Sequence, residues 1–302
     1  MSKILITGGA GFIGSHLADF LYDLGLSVAL LDLPGQFSKQ QLLKYETYEC
    51  DITDSTSLSG LPDFNVLYHL AAEVGTANSL KSPLKDMQCN IQGTLNMINF
   101  AANRSIKKFI FASSMAVYGE AENCLESRSR DPISPYGISK SCGEDYINHF
   151  QRSNPKVDCI LFRIFNCYGP NQQTSNLTRG LLSIFLQQVK KGDTINVTGN
   201  LLRKRDVIHV KDVTSALALP AQDIKMRGAY NVCSGKAITI QDLIYKIIQV
   251  SGKDKTNFVL SNIGSTGSDP HNATGSNYKL KKTGWKPSIE LEEGIYECWD
   301  MK

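Results

Sequence analysis

Along the first half of the chain, hydrophobic positions come in short continuous runs that alternate with stretches of helical spacing. "KILITGG" (3–9) is an apolar run ending in glycines, and "GSHLADFLYDLG" (14–25) repeats apolar residues three and four apart. "SVALLDL" (27–33), "YETYECDI" (45–52) and "VLYHLAA" (66–72) predict three more strands. A helix is expected over 84–103, then the strand "KKFIFASS" (107–114), the helix "YGISKSCGEDYINHFQ" (136–151) and the strand "VDCILFRIFN" (157–166). Strands this apolar are buried on both faces, and their alternation with helices predicts an α/β fold. The expected architecture is a doubly wound, Rossmann-type parallel sheet with helices on either side.

Beyond residue 166 the regularity weakens. Helical spacing returns over 176–192, 210–222 and 239–252, and "RDVIHV" and "GAYNVCSG" are short strand candidates. The pattern predicts a nucleotide-binding domain over 1–166 and a smaller α/β substrate domain over 167–302, some of whose segments return to the first. The stretch "SNIGSTGSDPHNATGSN" (261–277) is expected as a ligand-facing loop or plain surface.

Composition narrows the classes of function. The chain has 302 residues, 42% of them hydrophobic, and a net charge of +3 spread without a basic tail, so nucleic acid is not an implied partner. Its eight cysteines show no CxxC and no metal-ligand spacing, so no metal is expected. No apolar run approaches the roughly 18 residues of a membrane span. The first strand begins within three residues, which leaves no room for a signal peptide. Together these predict a reduced, cytoplasmic protein.

Candidate chemistry sits at the ends of the strands. "ITGGAGFIGSH" places Gly8, Gly11 and Gly14 between the first strand and the first helix. The first allows a tight turn, the second lets backbone approach a pyrophosphate, and the third lets helix and strand pack closely. The helix N-terminus then offers free N–H groups to the phosphates. Asp32 closes the second strand, where a carboxylate can take both ribose hydroxyls and would repel a 2′-phosphate, so NAD is expected over NADP. "SPYGISK" carries Tyr136 and Lys140 four apart, on one face of a helix. A lysine ammonium beside the tyrosine is expected to favour the phenolate, and Ser114, at the end of the fifth strand, can bond the same substrate oxygen.

The set TGGAGFIG, Asp32, "CDITD", "HLAA", "SSMAVYG", "YGISK", "RIFNCYGP" and "RDVIHVKDV", continuing to "TGWKPSIELEEGI", resembles the extended short-chain dehydrogenase/reductase family. Within it the chain is most similar to NAD-dependent nucleotide-sugar epimerases and dehydratases of the UDP-glucose 4-epimerase type. The resemblance implies Ser114, Tyr136 and Lys140 as the catalytic set. It implies Gly8, Gly11, Phe12, Ile13 and Gly14 at the pyrophosphate, Asp32 at the ribose, Asp51 and Ile52 at the adenine, and Leu70, Ala71 and Ala72 along the cofactor. Asn90 matches a position near the nicotinamide, while Phe165 and Asn166 match residues where cofactor and sugar meet. Asn176, Leu177 and Arg205 match contacts to the nucleotide diphosphate. It also implies a homodimer, formed through the helices 84–103 and 136–151.

Members that dehydrate carry an Asp–Glu pair after the serine or threonine, whereas this chain has Met115 and Ala116. Neither can transfer a proton, so 4-epimerisation through a transient keto-sugar is the expected reaction. A nucleotide-sugar reductase, an epimerase acting at another carbon, and a non-catalytic dinucleotide sensor are the alternatives. Relatives commonly clamp the diphosphate with Arg-x-Gly-Asp/Glu-Pro; here the run is Thr-Gly-Ser-Asp-Pro (266–270), without arginine. Arg203, Lys204 or Arg179 would have to compensate. His209 is expected as a packed strand residue.

Overall fold

The computed structural model describes residues 3–172, 180–222, 224–264 and 270–300. Asn176, Leu177, Arg179 and the run 266–269 lie outside them. In chain order β1 (Lys3–Thr7), α1 (Phe12–Asp23), β2 (Ser27–Asp32), α2 (Lys39–Lys44), β3 (Glu46–Glu49) and β4 (Val66–His69) open the fold. Next come α3 (Thr76–Lys81), α4 (Pro83–Met87) and α5 (Gly93–Ala102), the last two joined by a π turn at Gln88–Gln92. β5 (Lys108–Ser114), β6 (Ala121–Cys124), α6 (Pro135–Ser153), β7 (Asp158–Ile164) and β8 (Asn166–Tyr168) follow. The remainder holds α7 (Leu181–Lys191), β9 (Thr194–Val197), β10 (Lys204–His209), α8 (Val210–Ala218), β11 (Gly228–Val232) and β12 (Ala237–Thr239). It ends with α9 (Ile240–Val250), β13 (Val259–Asn262), β14 (Asn272–Gly275), α10 (Tyr278–Lys281) and α11 (Leu291–Trp299).

Seven strands form one fully parallel sheet in the order β11-β7-β5-β4-β1-β2-β3. Side chains alternate along each strand, which explains the unbroken apolar runs: each run feeds two cores. Ile4 and Ile6 of β1 join Leu17 and Leu21 of α1 and Val213 and Leu217 of α8 on one face. Leu5 joins Met97 and Phe100 of α5 and Ile147 and Phe150 of α6 on the other. The strand order reverses between β1 and β4, and such a switch point opens a crevice at the carboxyl ends of the strands.

A second sheet runs β12-β10-β14-β6, with β8 also on β10, and β13 pairs with β9. Its core is Phe185, Ile244, Ile247 and Ile295 from α7, α9 and α11. Although they belong to the second half, β11 pairs with β7 and α8 packs on α1. The expected strand 157–166 is broken at Phe165, which alone separates β7 from β8. Phe165 is buried, its N–H donates to the Val232 carbonyl at 3.0 Å, and its ring fills the space a Cβ on Gly275 would need. β10 likewise runs straight into α8, with His209 as the helix cap. The expected helix 84–103 is interrupted by the π turn and preceded by α3, and the stretch 261–277 contains β14. No helix among the described residues is long and apolar enough to cross a membrane.

Candidate active site

Ser114 ends β5 and, through its Oγ, caps the short turn Met115–Tyr118 by accepting the Ala116 N–H at 3.2 Å. Its hydroxyl also lies close enough to the Tyr136 phenol to favour the charged form of that group. Tyr136 stands in the first turn of α6, which Ser134 caps and Pro135 starts. The close approach depends on the next residue: a Cβ on Gly137 would lie 2.5 Å from the Ala116 carbonyl oxygen. One turn on, the Lys140 ammonium donates to the Ala112 carbonyl at 3.0 Å and sits 4.8 Å from the Phe111 ring centroid and 6.0 Å from that of Tyr136. The structure thus gathers the three expected residues.

Burial governs both titrations. It pushes the Tyr136 phenol up to about 12, the Ser114 hydroxyl opposing and Asp86 adding to the rise. It pushes Lys140 down to about 8, against the pull of Cys89 and Asp86. In this state, then, Lys140 does not by itself bring the phenol down to neutral pH, and a further positive charge is needed. Ser113 faces elsewhere. Its hydroxyl donates to Glu144 of α6 at 2.5 Å, and Glu144 takes a two-pronged bond from Arg163 of β7 at 2.9 and 2.6 Å. Arg163 continues to the Tyr118 hydroxyl at 2.8 Å, and Tyr118 to Asn231 of β11 at 2.7 Å. This buried network locks the strand end beneath α6.

The crevice beside this set fits a dinucleotide. Gly8 has φ +71°, and a Cβ there would strike the Ala71 nitrogen at 2.8 Å; one on Gly14 would strike the Gly8 carbonyl oxygen at 2.1 Å. α1 begins at Gly11 with no side-chain cap and no acid in its first turn among the described residues, so its N–H groups are open to an anion. Asp32 accepts the Ala10 N–H at 2.9 Å and the Leu33 N–H at 2.8 Å, which holds its carboxylate at the rim of the glycine turn.

A family model for the NAD dependent epimerase/dehydratase family matches residues 4–233. The chain belongs to this family. It is 32% identical to a putative UDP-glucose 4-epimerase of Methanocaldococcus jannaschii, over 97% of this chain and 95% of that one. Its fold superposes with a TM-score of 0.90 on the UDP-glucose 4-epimerase of Thermus thermophilus in complex with NAD, at 29% identity, covering 99% of this chain and 98% of that one. The UDP-N-acetylglucosamine 4-epimerase of Methanobrevibacter ruminantium gives 0.89 at 30% identity, covering 99% and 97%. NAD is the cofactor of this family member.

Other expected positions of this epimerase/dehydratase chain fall into place unevenly. Phe12 and Ile13 start α1, and Leu70, Ala71 and Ala72 leave β4 at the switch point against Gly8. Ile52 is buried beneath Gly93, while Asp51 is exposed and accepts both the N–H and the hydroxyl of Thr53 at 2.8 Å. Asn90 is fully engaged inside the protein: its amide bonds Glu73, Asp86 and Ser139. The Phe165 side chain is buried between Tyr118 and Gly275. Asn166 donates to the Asp206 carbonyl at 2.7 Å. Arg205 is buried, with its guanidinium on the carbonyls of Lys204, Pro270 and His271, and so braces the segment entering β14. His209 is a packed residue, edge-on to Tyr168. Sequence reasoning missed Glu144 and Ser139 of α6 and Asp86 of α4, polar residues whose burial only the packing reveals.

Proposed function

We propose that this chain is a cytoplasmic, NAD-dependent 4-epimerase of UDP-hexoses, with NAD held mainly by residues 1–166 and the sugar nucleotide mainly by 167–302. The observation that carries this reading is the meeting of Ser114, Tyr136 and Lys140 beside a strand end continued only by Met115 and Ala116. In the reading, Gly8, Gly11 and Gly14 cradle the pyrophosphate, and Asp32 takes the adenosine ribose. Bound NAD supplies the hydride acceptor and donor and a positive ring that favours the Tyr136 phenolate. Tyr136 removes the proton of the C4 hydroxyl as that carbon is oxidised to a ketone. Ser114, whose lone pair already takes the Ala116 N–H, donates its own hydrogen to the same oxygen. Lys140 stays charged and holds the site positive. Tyr136 returns the proton after the keto-sugar has turned over, so proton and hydride are both restored and only the configuration changes. Met115 and Ala116 offer no acid or base for loss of a hydroxyl at C6.

The similarity to UDP-glucose and UDP-N-acetylglucosamine 4-epimerases supports a uridine diphosphate sugar. Leu80, Leu84 and Met87 on α3 and α4, with Ile138 and Tyr146 on α6, are exposed and support a homodimer through these helices. Eight free cysteines favour a reducing compartment. Purified protein incubated with UDP-glucose, UDP-galactose and their N-acetyl counterparts, without added cofactor, should give the C4-inverted sugar by NMR. A 4-keto-6-deoxy product, or accumulating reduced cofactor, would overturn the reading. Tyr136→Phe should abolish turnover while bound NAD is retained.

A further inference from the structure

Asp86 is a carboxylic acid buried to 1% exposure on α4, in the layer directly against α6. Among the described residues it forms no ion pair. Its Oδ1 accepts the Asn90 amide at 3.0 Å. The Asn90 amide lies 3.1 Å from the Ser139 oxygen, and the Ser139 hydroxyl reaches the Tyr136 carbonyl at 3.0 Å. The acid is therefore tied to the turn of α6 that bears both Tyr136 and Lys140. Asn90 itself lies, buried, in the π turn.

We propose that Asp86 is a positioning residue that sets where on the pH scale the Tyr136–Lys140 pair works. The groups around it are few. From α6 come Tyr136 and Lys140 and from the segment after β4 comes Glu73, while Cys89 of the π turn faces Lys140. Glu73 is bridged by Lys85 at 3.0 Å, and the nearby His69 is neutral at working pH. Burial pushes the Asp86 carboxyl itself up; once ionised, its charge opposes the Tyr136 phenolate and favours the Lys140 ammonium, a smaller effect than burial on each, and so raises the titration of both. Its removal must move both in the same direction, downward. A purely structural acid would instead alter the height of a pH–rate profile and not its position.

This inference rests on Tyr136 acting as the base. The test is the pH profile of kcat for Asp86→Asn, which keeps an acceptor for Asn90 but removes the charge. Both limbs should shift to lower pH by about 0.5–1 unit, with NAD still bound. Asp86→Glu, which keeps the charge, should leave the limbs where the parent has them. Unmoved limbs in Asp86→Asn, or limbs displaced in Asp86→Glu, would overturn the proposal. Loss of turnover in Tyr136→Phe together with unmoved limbs in Asp86→Asn removes only the role of Asp86. Retained turnover in Tyr136→Phe removes the base assignment itself.

Discussion

Ser113 shares a strand face with Phe109 and Phe111 and reaches under α6, while Ser114, one residue on, meets the tyrosine. Substitution should separate the two. Ser114→Ala removes a donor to the reacting oxygen and should lower kcat by about 10²–10⁴ with little change in stability. Ser113→Ala removes a bond to a buried carboxylate and should cost about 1.5–3 kcal/mol in urea unfolding, with kcat within about tenfold of the parent. A comparable kcat loss in both would contradict this division. Ser114 was legible in the sequence because it follows an apolar strand and precedes two inert residues. The role of Ser113 was not, because its partner Glu144 lies 31 positions away and meets it only through the packing of α6 on β5.

At the level of elements, α6 decides the geometry of the site, and two glycines decide how close it comes. Gly143 lets the helix rest on Phe111, and Gly137 lets its first turn touch the Met115–Tyr118 turn. Gly137→Ala should push these apart, opening the Ser114–Tyr136 contact. The expected outcome is a folded protein with normal NAD content and kcat lowered by at least about tenfold; unchanged kcat would mean that this approach is not needed. The spacing of Tyr136 and Lys140 revealed the helix, but the glycine between them was silent until its neighbour was known. The π turn was equally hidden. Residues 84–103 have helical character throughout, and the π turn coincides with Asn90, whose side chain bonds Glu73 and Ser139 elsewhere in the chain.

For the whole molecule, acid sensitivity should come partly from His69 at the centre of the sheet. The Asn90 carbonyl takes the Thr94 hydroxyl hydrogen, so Thr94 accepts from His69 Nε2, and Nδ1 accepts from Thr7. Burial, with Lys140 nearby, pushes this imidazole down to about 3 from its ordinary 6.5. The neutral form is the folded one, so its contribution is complete above pH 6.5 and is lost as pH falls towards 3. The slope approaches about 1.4 kcal/mol per pH unit. His69→Gln should flatten the stability profile below pH 6 in denaturant melts, and an unchanged slope would refute this role. The parallel sheet was largely legible, since a strand buried on both faces advertises itself by its composition. The second half was less so, because β8, β12 and β14 are three or four residues long and draw their order from pairing. At Phe165 a single residue separates the two sheets, and at His209–Val210 the second sheet runs straight into α8, which packs on α1. A substitution at either joint should therefore be felt on both sides of the molecule at once.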